Sequence, residues 1–498
     1  MIQAQPLQVY HDALGDLLVS SRGDLGTFIT GATADSREVR PGWVFVAIPG
    51  SRFDGTEFIG EAVEAGAAAI VAKRVLNLPP HVALLHVSNA YAAAARIAEA
   101  AYGYPANHLS LVSITGTNGK TTCAYLLRDI LRHAGLQTGM IGTVQYEIGH
   151  HVSSATRTTP TPFDLQRLFA NMYRAGMNYV VMEMSSHALV QRRPGSVKCA
   201  AGLFTNLTGD HCDYHGTMEN YFAAKTVLFD EYLCSHAPAV INCDDAYGLR
   251  LYEFLQEGNS EVRPLAFGTA PSADVRIRDM VSDLDGIQLT LQLNGESHRL
   301  SAPLLGRFNI YNVAGAAAVA LALGLSPAGI AEAVARFRGA PGRLQPIAGK
   351  RGIRALVDYA HTDDALCNVL TTLRELEPNK LIVVFGCGGD RDKTKRPRMG
   401  EVASRLADRV IVTSDNPRSE DPQDILSDIR RGIPENAEVE YVVDRRQAIH
   451  EAVRNAAPGD LILVAGKGHE TYQEVAGSQL PFSDVEETRK AMQDAGIL

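Results

Sequence analysis

The octapeptide Thr-Gly-Thr-Asn-Gly-Lys-Thr-Thr at 115–122 constrains this chain more than any other stretch. An apolar run, 109–114, precedes it and reads as a buried strand. After it, Leu126, Leu127, Ile130 and Leu131 recur at helical spacing, and Gly135 offers a C-cap. Strand, glycine-rich loop and helix form the setting of a phosphate-binding loop. Backbone N–H groups and the helix N-terminus surround the anion, Lys120 adds a point charge, and Thr121 offers a hydroxyl to Mg²⁺. The general pattern has a glycine where Ile114 stands, so this is a shortened variant.

At 498 residues the chain is too long for one core. A net charge of −9 gives no general attraction to nucleic acid or anionic lipid. The seven cysteines fall at 123, 199, 212, 234, 243, 367 and 387. They show no Cys-x-x-Cys or zinc spacing and read as reduced thiols of a cytosolic protein. Residues 1–18 lack the basic and apolar regions of a signal peptide, and no apolar run approaches the ~18 residues of a membrane span.

Three α/β units are expected. In 1–107, strands are predicted at 43–48, 68–72 and 84–87 and a helix at 90–101. Two loops, Ala34-Asp35-Ser36-Arg37 and Gly50-Ser51-Arg52-Phe53-Asp54-Gly55, are ligand candidates, although turn chemistry alone accounts for either. Pro105-Ala106-Asn107 reads as a linker. In 108–343, a strand at 138–144 leads to the polar loop Arg157-Thr158-Thr159-Pro160. A buried strand at 179–184 brings Glu183 to its C-terminal end, where an open α/β sheet places a metal ligand. His211 and His215 are spaced for zinc on one helix, but no third ligand at zinc spacing accompanies them. Lys225, in a helical stretch at 220–229, reads from chemistry alone as a solvated lysine. In 344–498, strands at 355–359, 381–385, 410–413 and 461–464 alternate with helical stretches, the pattern of a parallel sheet. Their C-terminal loops carry Arg391, Asp415-Asn416-Pro417-Arg418 and Gly466-Lys467-Gly468-His469-Glu470, which can converge on one site.

Taken in order, the 115–122 loop, Glu183 with Ser185-Ser186-His187, Asn206, Asp210-His211, Asp213-Tyr214-His215, Lys225, Arg343, Asp358-Tyr359-Ala360-His361 and the three C-terminal loops resemble the Mur ligases over nearly the whole chain. Asp415-Asn416-Pro417-Arg418 resembles the form that adds meso-2,6-diaminopimelate. Asp363 stands where proline is usual, and Arg157 and Gly209 also depart from the pattern. The resemblance implies a smaller N-terminal α/β domain, a central P-loop ATPase-like domain with a parallel or mixed sheet, and a C-terminal Rossmann-like domain.

It also implies an ATP-dependent ligase of cytoplasmic peptidoglycan precursor synthesis, a monomer that takes only small-molecule substrates. The enzyme would join diaminopimelate to the D-Glu γ-carboxylate of UDP-MurNAc-L-Ala-D-Glu. By the same resemblance, Ala34, Ser36, Ser51, Arg52 and Phe53 hold the uridine diphosphate. Thr158, Thr159, Ser185, Gln191 and Arg193 hold the sugar-peptide. Gly116, Thr117, Asn118, Gly119, Lys120, Thr121, Thr122, Asn309 and Arg343 hold ATP. Thr121, Glu183, His211 and a carbamylated Lys225 serve Mg²⁺, with Lys120, Lys225 and His211 catalytic. Arg391, Asp415, Asn416, Pro417, Arg418, Gly466 and Glu470 take diaminopimelate. A lysine-adding ligase, a folylpolyglutamate synthetase-like ligase and a non-ligating nucleotide switch are the alternatives.

Overall fold

The computed structural model describes residues 4–50, 54–258, 261–350 and 352–498. The chain packs into two compact units, one of 1–277 with 292–296 and 312–330, the other of 278–291, 297–311 and 331–498.

The first unit opens with a five-stranded sheet in the order Leu18–Arg22, Ala83–Val87, Ala69–Ala72, Trp43–Val46, Gly31–Thr33. All its pairings are parallel except the first. Helix Ala90–Tyr102 buries Ala93, Ala94, Ile97 and Ala101 against this sheet's core. The Asn89 side chain accepts from the N–H groups of Tyr91 and Ala92, and left-handed Gly103 ends the helix. The stretch expected as a linker at Pro105 takes the form of a 3₁₀ turn, Pro105–His108, with Pro105 buried. Proline at its first position supplies the required φ, and the turn closes through Leu109 N–H to Ala106 O.

The central sheet runs His151–Ser154, Gln145–Ile148, Thr138–Ile141, Tyr179–Glu183, Ser110–Thr115, Cys199–Phe204, Pro238–Asn242, Arg263–Gly268, and continues through three later strands. Ser110–Thr115 pairs in parallel with both neighbours, so the strands beside the loop at 115–122 end at the same edge. Its residues are buried on both faces, as in the middle of a parallel sheet. The strand predicted at 138–144 stops at Ile141. The chain then turns into an antiparallel hairpin, Gln145–Ile148 with His151–Ser154, that was not expected from the sequence.

In the second unit the sheet order is Gln345–Ala348, Arg354–Asp358, Leu461–Ala465, Leu381–Phe385, Arg409–Val412, Val439–Tyr441, parallel except at the first pair. Leu461–Ala465 lies between Arg354–Asp358 and Leu381–Phe385, which brings loops far apart in sequence to one edge. Arg445 and Asp484, both fully buried, form a two-bonded ion pair at 2.7 Å beneath this edge. Arg445 Nη2 also donates to Ala465 O at 2.9 Å, bracing the start of the 466–470 loop. Among the described residues no helix is long and apolar enough to cross a membrane.

Candidate active site

The loop after Ser110–Thr115 is closed by two glycines at positive φ, Gly116 (146°) and Gly119 (87°). A Cβ on Gly116 would lie 1.9 Å from Thr205 Oγ1, and one on Gly119 2.2 Å from Asn312 Oδ1. Only glycine meets both demands, conformational and steric. Helix Lys120–His133 begins directly after Gly119. The loop is held from the neighbouring strand end: Thr117 N–H donates to Asn206 O, and Asn118 N–H to Asn206 Oδ1, each at 2.9 Å. Lys120 curls back over the loop, donating to Gly116 O and Thr117 O at 2.8 Å.

Lys225 is not the solvated lysine its local sequence suggests. It is 1% exposed, on helix Met218–Glu231, and Nζ donates to Gly116 O at 2.7 Å. Burial first, then the neighbouring Lys120 ammonium, push its pKa well below the usual lysine range, with Asp210 opposing. Tyr221, one turn earlier, places its ring centre 4.6 Å from Lys225 Nζ and its hydroxyl 3.2 Å from Thr117 Oγ1.

Glu183 is fully buried at the end of its strand. Its Oε2 accepts from Thr121 Oγ1 at 3.1 Å and Thr143 Oγ1 at 2.9 Å, and its Oε1 from Thr143 N–H at 2.9 Å. Hydroxyl and carboxylate oxygens side by side are hard donors, which suit a small divalent cation. His211 has a φ of 55° and precedes helix Cys212–His215, so it does not share a helical face with His215. Its ring lies 5.8 Å from that of Tyr221, and His215 is instead within 2.9 Å of Ser186 Oγ. Among the described residues no group of three or more His, Cys, Asp or Glu is arranged to hold a metal.

The candidate sugar-peptide residues come together beside Glu183. Ser185 N–H donates to Thr159 Oγ1 at 3.0 Å, which in turn donates to Glu183 O at 2.9 Å. Arg193 donates through Nη1 to Thr159 O at 2.7 Å and through Nε to Gln191 Oε1 at 2.9 Å. Burial, then the nearby Arg157, lowers the Arg193 pKa to about 10. Thr158 Oγ1 lies 3.1 Å from Thr143 Oγ1. Arg157 is anchored through its backbone, its N–H and O both bonded to the Tyr146 hydroxyl. In the N-terminal sheet's loops, Ser36 Oγ donates to Glu61 Oε2 at 3.2 Å, and Ala34 leads into the Asp35 cap of the turn Ser36–Glu38. Ser51, Arg52 and Phe53 lie outside the described residues; their flanks Pro49 and Asp54 form a bridge, and the Tyr91 hydroxyl donates to Pro49 O.

In the second unit, Asn309 is buried and its Nδ2 donates to Leu305 O at 2.8 Å. The Arg343 guanidinium sits over the Tyr359 ring at 5.0 Å. At the C-terminal edge of the sheet, Asn416 Nδ2 and Lys467 Nζ both donate to Glu470 Oε2, at 2.8 and 2.9 Å, and Lys467 also donates to Asn416 Oδ1 at 2.9 Å. Gly466, at φ 118°, brings the backbone against Asp415, whose Oδ2 would be 2.5 Å from a Cβ there. A Cβ on Gly388 would stand 3.0 Å from Arg418 Nη1 and 3.8 Å from Arg391 Cγ, so both arginines flank that glycine. Pro417 packs its carbonyl on Gly389, whose N–H donates to Asn416 O at 2.9 Å. Arg418 is already paired, with Nε 3.0 Å from Glu474 Oε2.

Family models match in the same order along the chain: the Mur ligase family catalytic domain over 28–109, the Mur ligase middle domain over 114–320, and the Mur ligase glutamate ligase domain over 342–468. A protein of Solibacter usitatus is 42% identical over 476 residues, covering 94% of each chain. One from Synechocystis sp. is 43% identical over 475 residues, covering 94% of this chain and 93% of its own. The chain belongs to the Mur ligase family.

Both relatives are named UDP-N-acetylmuramoyl-L-alanyl-D-glutamate–2,6-diaminopimelate ligase. A solved structure with the same name superposes with a TM-score of 0.71 at 32% identity, covering 100% of each chain. The protein thus has the three-domain Mur ligase fold, built on its three main sheets. Around the C-terminal loops of this Mur ligase, two features were not legible in its sequence. One is the hairpin Tyr472–Val475 with Ser478–Pro481, which supplies Gln473 and Glu474 to the C-terminal loops. The other is the bonding role of Lys467. The two-residue connection Ala476-Gly477, both at positive φ, is a hairpin signal, but the flanking strands lack a clear alternation of polar and apolar residues.

Proposed function

We propose that the protein joins the amino group of meso-2,6-diaminopimelate to the D-Glu γ-carboxylate of UDP-MurNAc-L-Ala-D-Glu, with cleavage of ATP to ADP and phosphate. The observation that carries the amino-acid assignment is the Arg418 guanidinium, fixed at the C-terminal edge of the sheet on the loop whose Asn416 bonds Glu470. Diaminopimelate is, in outline, lysine with a second carboxylate at its far end. A planar guanidinium takes that group through two parallel hydrogen bonds. Asp415 and Glu470 supply negative charge for its ammonium groups.

The chemistry follows from these parts. A carboxylate is a poor acylating agent, so its oxygen first attacks the γ-phosphate of ATP, giving an acyl phosphate and ADP. Lys120 offsets the charge that collects on the phosphoryl oxygens, and the N-terminus of helix Lys120–His133 stabilises them. Thr159, Ser185, Gln191 and Arg193 hold the sugar-peptide with its γ-carboxylate toward that phosphate. The amine of diaminopimelate then attacks the acyl carbon and phosphate departs. No protein nucleophile is required; positioning is the main catalytic device. Mg²⁺, held by Thr121 and Glu183 with His211 and a carbamate on Lys225, would supply Lewis-acid stabilisation of the phosphates. Domain limits at 107 and 343, a cytoplasmic location and a monomeric state belong to the same reading.

The test is phosphate release with each substrate omitted in turn and with a panel of amino acids. The reading requires ATP, the UDP-linked dipeptide and diaminopimelate together. Phosphate release that is indifferent to the last two points instead to a nucleotide switch, and equal use of lysine removes the diaminopimelate assignment.

A further inference from the structure

Arg418 is held in a strained backbone conformation. Its φ is 54°, in the left-handed region that non-glycine residues rarely adopt. Its backbone is clamped by the hairpin: Arg418 N–H donates to Glu474 O at 3.0 Å, and Ala476 N–H to Arg418 O at 2.7 Å. The hairpin is itself pinned to the same loop, with Glu474 N–H donating to Asn416 Oδ1 at 2.9 Å and Gln473 Nε2 to Asp415 O at 2.6 Å. Both ends of the guanidinium are then fixed, Nε on Glu474 Oε2 at 3.0 Å and Nη1 on Gly389 O at 2.7 Å.

A guanidinium carries five N–H groups in one plane. Two anchors on two different chain segments, one at each end, define that plane. With Nε and one Nη1 hydrogen engaged, one N–H on Nη1 and both on Nη2 remain, so the outer edge, Nη1 with Nη2, is the edge that can still take a carboxylate through two bonds. We propose that Glu474 is a positioning and specificity residue: it aims the outer edge of Arg418 at the far carboxylate of the amino-acid substrate. The inference rests on the diaminopimelate reading of this site. Glu474 also keeps Arg418 neutralised in the empty site. Discrimination against an amino acid without the far carboxylate therefore comes from lost bonds to an aimed fork, not from a stranded charge.

The assay is steady-state kinetics of the full-length enzyme with diaminopimelate, lysine, ATP and the UDP-linked dipeptide. Glu474→Ala removes the Nε anchor, and its KM for diaminopimelate should rise about tenfold or more, the scale of one lost charge-assisted bond. Its kcat, and its KM for ATP and for the dipeptide, should stay within about twofold, and its preference for diaminopimelate over lysine should fall. Glu474→Gln keeps an oxygen acceptor for Nε and should restore KM to within about threefold of wild type. If Glu474→Ala does not fold, Glu474→Met, which fills the same space without an oxygen acceptor or a charge, carries the same expectation. An unchanged or lowered KM for diaminopimelate overturns the role of Glu474, and so does a parallel rise in all three KM values. A wild-type enzyme that does not use diaminopimelate refutes the ligase assignment itself, a result distinct from either.

Discussion

Lys120 and Lys225, 105 positions apart, donate to the same oxygen, the carbonyl of Gly116, at 2.8 and 2.7 Å. Two ammonium groups on one acceptor repel, and the buried one yields: the Lys225 pKa is driven down by burial and by Lys120. A depressed pKa makes the free amine accessible, and the free amine is the form that combines with CO₂. The resulting carbamate is an anion, so it would pair with Lys120 instead of opposing it. Lys225→Ala should be nearly inactive, and a short carboxylic acid in the buffer should restore part of the rate by replacing the missing anion. Full activity of wild type in CO₂-free buffer, with mass spectrometry showing an unmodified Lys225, would sink the carbamate.

Lys120 is expected to act on the phosphates once ATP displaces it from the loop carbonyls. Lys120→Ala should fold normally and lose on the order of 100- to 1000-fold in kcat, the scale of about 3 kcal/mol of transition-state stabilisation. Turnover near wild type in a variant with an unchanged melting temperature would rule out the phosphate-binding role of the 115–122 loop.

Arg418→Ala should raise the KM for diaminopimelate by about 10- to 100-fold, as expected for a lost charge-assisted pair, and leave those for ATP and the dipeptide much less affected. Wild type should prefer diaminopimelate to lysine by about 100-fold or more in kcat/KM. The variant should lose most of that preference. Selectivity that survives the substitution would move the determinant elsewhere in the C-terminal loops.

Glu99, on the last turns of helix Ala90–Tyr102, is 4% exposed and accepts from Ser196 N–H and Oγ at 2.7 and 2.9 Å. Burial raises its pKa; the Ser196 bonds oppose this but do not cancel it. The folded state therefore holds the proton more tightly than the unfolded state. The stability this confers is complete below the ordinary carboxylate value and is lost as pH rises through the folded pKa. Glu99→Gln keeps an acceptor for Ser196 without the charge, so its melting temperature should gain on wild type as pH is raised from about 5 to 8. A relative loss over that range would mean that the Ser196 bonds outweigh burial.

The 115–122 loop was legible from sequence because its information is local. Glycines at 116 and 119, an apolar run before them and a helical repeat after them specify strand, turn and helix over adjacent stretches of the chain. The same holds for the loops after Leu381–Phe385, Arg409–Val412 and Leu461–Ala465, since a parallel sheet presents all its strand C-termini at one edge. The resemblance to the Mur ligases then attached chemistry to them. Sequence alone did not reveal the hairpin at 145–154 or the one at 472–481. Each of their strands is four residues long. The outer strands, His151–Ser154 and Ser478–Pro481, are wholly exposed, so burial imposes no alternation on them.

By itself, then, the sequence determined the local conformations: where the phosphate loop turns, where the helix after it stops, and which loops follow buried strands. Only the tertiary structure decided the partners. Lys225 reads as a surface lysine until the order of strands sets its helix under the loop, 109 positions from Gly116. Nothing in the sequence pairs Arg418 with Glu474; a hairpin 56 positions away places that carboxylate on its Nε. The physical reason is the range of the forces involved. Backbone propensity and hydrophobic periodicity act over a few residues and leave their mark on the local sequence. A buried ammonium or a paired guanidinium is defined by what surrounds it in space, and that is set only when the sheet order brings distant segments to the same edge.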